Sequence, residues 1–221
     1  MTGDTPKPMV NIHGRPFIDI MLDPWIQAGL SKLILALGYK PERFVSFFGS
    51  MYRGVAVEYV IEEKALGTGG ALFNALDSVE TESFWATNAD TFLSFEPAQI
   101  MRQLDDVSEP ADISVAIVQF EGDRYSGVAT DSQSWLTSFN ASPSNVINAG
   151  VYAFRTMVAR ELRDRYSAAP RPLSLENDVM PAAVRERRVY GEAVDAADFV
   201  DIGIPRDFAK FDRWYGAQHG R

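Results

Sequence analysis

Apolar positions in the first half of the chain fall into short dense runs separated by stretches of helical spacing. Lys32-Leu33-Ile34-Leu35-Ala36-Leu37 is almost unbroken, the pattern of a strand buried on both faces. Val55–Ile61 predicts a second strand, and Phe84–Thr87 a third that stops at Asn88-Ala89-Asp90. Phe17, Ile20, Met21 and Ile26 repeat at helical spacing, with a break or kink expected at Pro24 and an end at Gly29. Pro41–Phe48 and Ala71 to about Asp77 predict two more helices. Before all of these, Pro6 and Pro8 hold Met1–Met9 extended as a loop, and Val10-Asn11-Ile12 leads to the turn His13-Gly14-Arg15-Pro16. Alternation of strand and helix calls for a parallel sheet with right-handed crossovers.

After a helix near Pro97–Leu104 and a strand over Asp112–Phe120, the pattern changes. Gly127–Thr130 and Trp135–Phe139 read as a hairpin around Asp131-Ser132-Gln133-Ser134, and Val146–Phe154 adds a strand. A helix over Val158–Tyr166 precedes a bend at Pro170-Arg171-Pro172. Asn177–Arg187 reads as a helix broken or kinked at Pro181, Val189–Val194 and Phe199–Ile202 as short strands, and Pro205–Tyr215 as a closing helix. With no internal repeat or linker, residues 1–221 are expected to form a single α/β domain. Its expected architecture is a Rossmann-like, mostly parallel central sheet flanked by helices, with a small antiparallel addition.

Composition narrows the function. The 221 residues, 46% hydrophobic and 23% charged, are enough for a substantial core. A net charge of −9 argues against nonspecific binding to nucleic acid or anionic membrane, and confines any phosphate site to a local pocket. Absence of cysteine excludes disulfides and thiolate metal sites and is compatible with a cytoplasmic location. No apolar run reaches the roughly 18 residues of a spanning helix, and no signal peptide is evident. Two histidines, His13 and His219, argue against a histidine metal cluster.

Three features carry candidate chemistry. Glycines 67, 69 and 70 sit between a strand and a helix, where a backbone or a planar ligand can approach without meeting a Cβ. A tight connection with no ligand is the plainer alternative. Asp90 and Asp201 both lie just past short apolar strands, and carboxylates there project into the crevice where ligands bind. Together they suit Mg²⁺, which takes one or two carboxylates plus phosphate oxygens; separately they are ordinary turn or cap residues. Glu62 and Lys64, beside the glycines, otherwise read as solvated charges.

Taken together, the segments Pro6-Lys7-Pro8-Met9, Gly14-Arg15-Pro16-Phe17, Leu66-Gly67-Thr68-Gly69-Gly70-Ala71, Asn88-Ala89-Asp90, Asp123-Arg124-Tyr125, Ile147-Asn148-Ala149-Gly150-Val151-Tyr152 and Phe199–Pro205 run in one order along almost the whole chain. In that order and spacing the chain resembles the sugar-1-phosphate nucleotidyltransferases, most of all the short guanylyltransferases of D-glycero-D-manno-heptose 1-phosphate. The resemblance implies the nucleotide-diphospho-sugar transferase fold, with a nucleotide-binding part over 6–120, a sugar-phosphate-binding part over 121–205 and a C-terminal helix over 206–221. It implies nucleotidyl transfer from a nucleoside triphosphate to a sugar 1-phosphate, with pyrophosphate released. Lys7, Asp90 and Asp201 would be catalytic, the two aspartates holding Mg²⁺. Glu62, Leu66, Gly67, Thr68 and Gly69 would bind nucleotide, and Arg124, Asn148, Gly150 and Glu176 the sugar phosphate. A carboxylate at Glu62 accepts from adjacent N–H donors, which favours guanine and hence GTP. The resemblance leaves the oligomeric state open, a homo-oligomer included.

Two departures accompany the resemblance. The family's first strand and its Gly-Gly-x-Gly-Thr-Arg loop precede the segment at which this chain starts. That strand is central in the family, so its absence is expected to leave the Lys32–Leu37 and Phe84–Thr87 strands each with an unpaired edge, at about 1–3 kcal/mol per orphan group. In addition, Ser138-Phe139-Asn140-Ala141-Ser142-Pro143 lacks the lysine that in the family binds the sugar phosphate; Arg124 or Lys64 is the candidate substitute. A non-catalytic homologue that binds nucleotide or sugar phosphate is therefore the alternative to an active enzyme. An NAD-type dehydrogenase has little support, since the glycine spacing is wrong for a dinucleotide fingerprint.

Overall fold

The computed structural model describes residues 5–106, 108–120, 127–142, 144–170, 172–195, 199–202 and 205–219. Arg124 and the segment around it lie outside the described residues. In chain order the elements are β1 (Asn11–Ile12), β2 (Arg15–Pro16), α1 (Phe17–Met21), α2 (Asp23–Gln27), β3 (Lys32–Leu37), α3 (Pro41–Phe48), β4 (Met51–Tyr52), β5 (Val55–Ile61), α4 (Gly67–Ala75), β6 (Ser83–Thr87), β7 (Thr91–Phe92), α5 (Pro97–Met101) and β8 (Ile113–Gln119). They continue with β9 (Gly127–Thr130), β10 (Leu136–Ala141), β11 (Val146–Arg155), α6 (Thr156–Arg165), α7 (Met180–Arg185), β12 (Val189–Ala193), β13 (Val200–Asp201) and α8 (Pro205–His219).

The α/β architecture expected from the sequence is present. Its strand pairing is more mixed than the alternation of elements implies. One sheet runs β10-β9-β11-β8-β12 with β6 also paired to β11, and a second runs β3-β5-β4. Pairing is parallel in β3/β5 and β12/β8 and antiparallel in the other strand pairs. Strand β8 shows how the larger sheet divides the core. Ile113, Val115 and Ile117 enter one apolar cluster, while Ala116 and Val118 enter the cluster on the opposite face, as a period of two requires.

Two local differences from the sequence reading have physical causes. Helix α4 begins at Gly67 rather than Ala71, because the N–H groups of Gly69 and Gly70 donate to Leu173 O at 2.9 and 3.3 Å and hold the glycine stretch in a helical turn. Pro181 does not kink a continuous helix. A π-helical turn, Leu175–Val179, capped by the Ser174 hydroxyl, leads into α7, and Pro181 sits in that helix's first turn, where a missing N–H is harmless.

The strongest departure from an ideal sheet lies between β3 and β6. Strand β3 pairs only with β5 and β6 only with β11 among the described residues, and both strands line one cavity of about 1270 Å³. The run Lys32–Leu37 is consequently not buried on both faces: Ala36 is exposed and Leu33 and Ile34 are half-buried. All five residues of β6 are likewise half-buried.

The amino-terminal segment and α8 are joined by a charged network. Arg15 makes two bonds to the Asp23 carboxylate, both at 3.0 Å, one at 2.7 Å to Asp19 and one at 3.0 Å to the Tyr215 hydroxyl. Tyr52 donates to Asp19 at 2.7 Å and Arg53 to Asp23 at 2.6 Å. Burial alone would raise the Asp19 carboxyl, but the bonds from Arg15 and Tyr52 and the charges of Arg15 and Arg53 outweigh it and hold it below the usual range. No helix among the described residues is long and apolar enough to cross a membrane.

Two measurements follow from this fold. The β3 amides that point away from β5 should exchange with solvent deuterium at least about 100-fold faster than those of β8, because only the latter are enclosed on both sides. Arg15→Ala should lower stability in urea by about 3 kcal/mol, since it leaves the buried Asp19 carboxylate short of its main partner. In the unmodified protein the depressed Asp19 pKa contributes stability above the unfolded value near ~3.9, and this contribution is lost as pH falls through the folded value. The variant's deficit should therefore shrink on acidification.

Candidate functional site

The glycine stretch is bound to the chain's own backbone. Gly67 has φ +78°, and a Cβ there would lie 2.4 Å from Leu173 O; one at Gly69 would lie 3.1 Å from Leu175 N. Leu173 N donates to Leu66 O at 2.7 Å, completing a two-way tie. The close backbone approach expected at these glycines is therefore real, and its partner in this structure is the 173–175 segment. Glu62 caps the preceding loop by accepting from Leu66 N at 3.2 Å, and Gly38 packs beside its carboxylate. A carboxylate has about four acceptor positions, so this bond leaves capacity for a ligand. Lys64 is exposed on the same loop.

Asp90 and Asp201 are brought together by the short β7/β13 ladder. Asp201 pairs with Thr91, and Ile202 N donates to Asp90 O at 3.0 Å. Asp90 is half-buried, and its carboxyl is raised first by burial and then by the negative charge of Asp201, with Lys7 acting in the opposite sense. Lys7, in a short 3₁₀ turn, lines the same cavity as Asp90 and Asp201. A predicted cation and two predicted carboxylates thus share one corner, although they are far apart in sequence.

The residues expected on the sugar side meet at the other wall. Strand β11 is bulged against β8 between Asn148 and Tyr152, with Gly150 at φ +71°. A Cβ at Gly150 would lie 2.7 Å from Asn88 Nδ2, so only glycine lets the Asn88 loop close on the bulge. Asn148 Oδ1 accepts from Gly150 N at 2.9 Å, and its Nδ2 donates to the Tyr152 hydroxyl at 2.5 Å. That hydroxyl donates to Glu176 Oε1 at 3.1 Å. Glu176 Oε2 accepts from Thr68 at 2.7 Å and Ser174 at 3.2 Å, and Thr68 Oγ1 in turn accepts from Leu175 N at 2.9 Å. Asn148, Gly150, Glu176 and Thr68 line the cavity that Asp90 and Lys7 line. Arg124 cannot be placed, being outside the described residues.

Sequence reasoning missed Tyr152 and Ser174. Tyr152 stands two and four residues after Gly150 and Asn148, and a period of two would have put all three on one strand face. Ser174 gave no comparable signal.

Comparison with known proteins decides the family. The profile of the family described as "Nucleotidyl transferase" matches residues 1–216. The chain belongs to this nucleotidyl transferase family. It is 33% identical over 218 residues to the mannose-1-phosphate guanylyltransferase of Mycobacterium tuberculosis, covering 95% of this chain and 58% of that protein. It is 31% identical over 215 residues to the D-glycero-alpha-D-manno-heptose 1-phosphate guanylyltransferase of Aneurinibacillus thermoaerophilus, covering 95% and 89%. The chain thus spans little more than half of the former relative and most of the latter. Among solved structures it is similar to HddC from Yersinia pseudotuberculosis, with a TM-score of 0.78 and 27% identity over 97% of this chain and 92% of that one.

The glycine stretch can be probed directly. Gly67→Ala should cost about 1–2 kcal/mol for the positive φ, with ~1–3 kcal/mol more for displacing the Leu173 backbone, read as a lower urea midpoint. A conservative Ala71→Gly control, inside the same helix, should lose no more than about 1 kcal/mol.

Proposed function

We propose that this chain transfers a guanylyl group from GTP to a sugar 1-phosphate of the manno-heptose or related class, releasing pyrophosphate. The observation that carries the reading is the convergence of Lys7, Asp90 and Asp201 at one corner of the cavity whose other wall holds Asn148 and Glu176. The similarity to heptose 1-phosphate guanylyltransferases over nearly the full length of both chains supports the substrate class. The solved HddC structure in complex with GMP-PN supports the guanine nucleotide.

In the proposed reaction an oxygen of the sugar 1-phosphate attacks the α-phosphorus of GTP. The bond to the β-phosphate oxygen breaks, and pyrophosphate leaves. Such transfers need positioning and charge stabilisation more than a protein base. Asp90 and Asp201 would hold Mg²⁺. Their all-oxygen donor set, mutual repulsion and small number of carboxylates fit a cation that keeps several waters and takes its remaining ligands from phosphate. When bound, that cation supplies neutralisation of phosphate charge. Lys7 would steady the phosphate oxygens, and Thr68 would face the nucleotide from the turn that Leu66, Gly67 and Gly69 hold against Leu173–Leu175. The Glu62 carboxylate would accept from the N1–H and N2–H₂ edge of guanine. Asn148, Gly150 and Glu176 would take the sugar phosphate. A second reading, nucleotide binding without turnover, draws on the absence of lysine from Ser138–Pro143.

Pyrophosphate release with Mg²⁺, each nucleoside triphosphate and a panel including mannose 1-phosphate and D-glycero-D-manno-heptose 1-phosphate tests the proposal. Release should require both substrates, favour GTP, and fall by at least about 10²-fold in Asp90→Asn with unchanged melting. GTP binding with no release from any pair would favour the second reading. Unchanged release in Asp90→Asn would remove Asp90 from the catalytic group.

A further inference from the structure

Tyr152 is not among the residues assigned above to either substrate, yet its hydroxyl stands between two that are. The ring is buried at 1% exposure, and its apolar surroundings, Phe154 among them, would accommodate phenylalanine equally well. What tyrosine adds is an oxygen that accepts from Asn148 Nδ2 and donates to Glu176 Oε1. Burial and the neighbouring Glu176 charge raise the phenol well above its ordinary pKa, so this donor stays protonated.

That arrangement fixes the polarity of both neighbours. Asn148 must keep Oδ1 toward Gly150 N and Nδ2 toward the phenol, which leaves one amide hydrogen for a ligand. Glu176 already accepts from Tyr152, Thr68 and Ser174, so about one of its four acceptor positions remains. The donor Nδ2 and the acceptor Oε1 lie 2.5 and 3.1 Å from the same oxygen, and hence at most 5.6 Å apart. A donor beside an anionic acceptor repels phosphate at the carboxylate and suits hydroxyl groups, which can accept from one and donate to the other.

We infer that Tyr152 is a positioning residue that presents Asn148 and Glu176 as a fixed donor–acceptor pair reading ring hydroxyls of the sugar, not its phosphate. This inference rests on the proposed sugar 1-phosphate site and refines it. The bond from Thr68 to Glu176 ties the pair to the glycine turn, so the sugar-reading groups are held by elements on both sides of the cavity.

Calorimetric affinities and steady-state KM values for mannose 1-phosphate and its 2-, 3-, 4- and 6-deoxy analogues, in the unmodified chain and in Tyr152→Phe, test it. In the unmodified chain at least one deoxy analogue should bind at least about 10-fold more weakly than the parent sugar phosphate. In Tyr152→Phe the parent should weaken about 10-fold or more, the deoxy penalty should shrink, and GTP affinity should stay within about 2-fold. A packing role alone would lower the melting temperature and both substrate affinities together and leave the deoxy ratios unchanged; that result overturns the inference. Should Tyr152→Phe fail to fold, Thr68→Val, at an exposed position, removes one of the two donors that hold Glu176 Oε2 and should likewise reduce the deoxy ratio. Sugar phosphate binding with this deoxy pattern but no pyrophosphate release would defeat the proposed reaction and sustain the inference. No binding of any sugar 1-phosphate would defeat both.

Discussion

The site depends on a backbone-to-backbone contact between Leu66–Gly70 and Leu173–Leu175. Five main-chain groups are satisfied there, and two glycines remove the Cβ atoms that would forbid the approach. Because Thr68 sits inside this contact, its hydroxyl reaches Glu176, and because Leu175 opens the π-helical turn, Glu176 is held where Tyr152 can reach it. A stretch that reads as a ligand loop is thus first of all a seam. It joins the half of the chain that carries Asp90 to the half that supplies Asn148, Tyr152 and Glu176.

Most of the fold was legible because its strands are short dense apolar runs bounded by turn residues. The bounds of β3, α3 and β5 follow those expected, since each is delimited by glycine, proline or a charged turn. Less was legible where tertiary contact decides local conformation. Nothing local announces that Gly67 will begin a helix, because the group that stabilises that turn, Leu173 O, lies about a hundred residues away. The same holds for the π-helical turn at Leu175–Val179, which Ser174, Thr68 and Asn140 anchor from three segments.

The candidate site was legible to a similar degree and for a similar reason. Asp90 and Asp201 could be singled out because each ends a strand, but their meeting depends on a two-residue ladder with no sequence signature. Asn148 and Gly150 were singled out through a motif. The bulge that aims Asn148 at Tyr152 comes from a register shift between β11 and β8, a property of two strands and not of either sequence alone. Hydroxyls were the hardest class to read, since Thr68, Ser174 and Tyr152 gain meaning only from sharing one carboxylate.

Among the described residues, the edges of β3 and β6 that face the cavity carry a consequence for strand pairing. Each is a row of backbone donors and acceptors beside apolar side chains, and such a row is a template for any extended chain that reaches it. Charged gatekeepers are sparse along it: of the eleven residues in the two strands, only Lys32 carries a charge, and that charge is already paired with Glu58 and Glu80. An extended segment seated there, from this chain or from another, would gain main-chain bonds along both edges without displacing an ion pair.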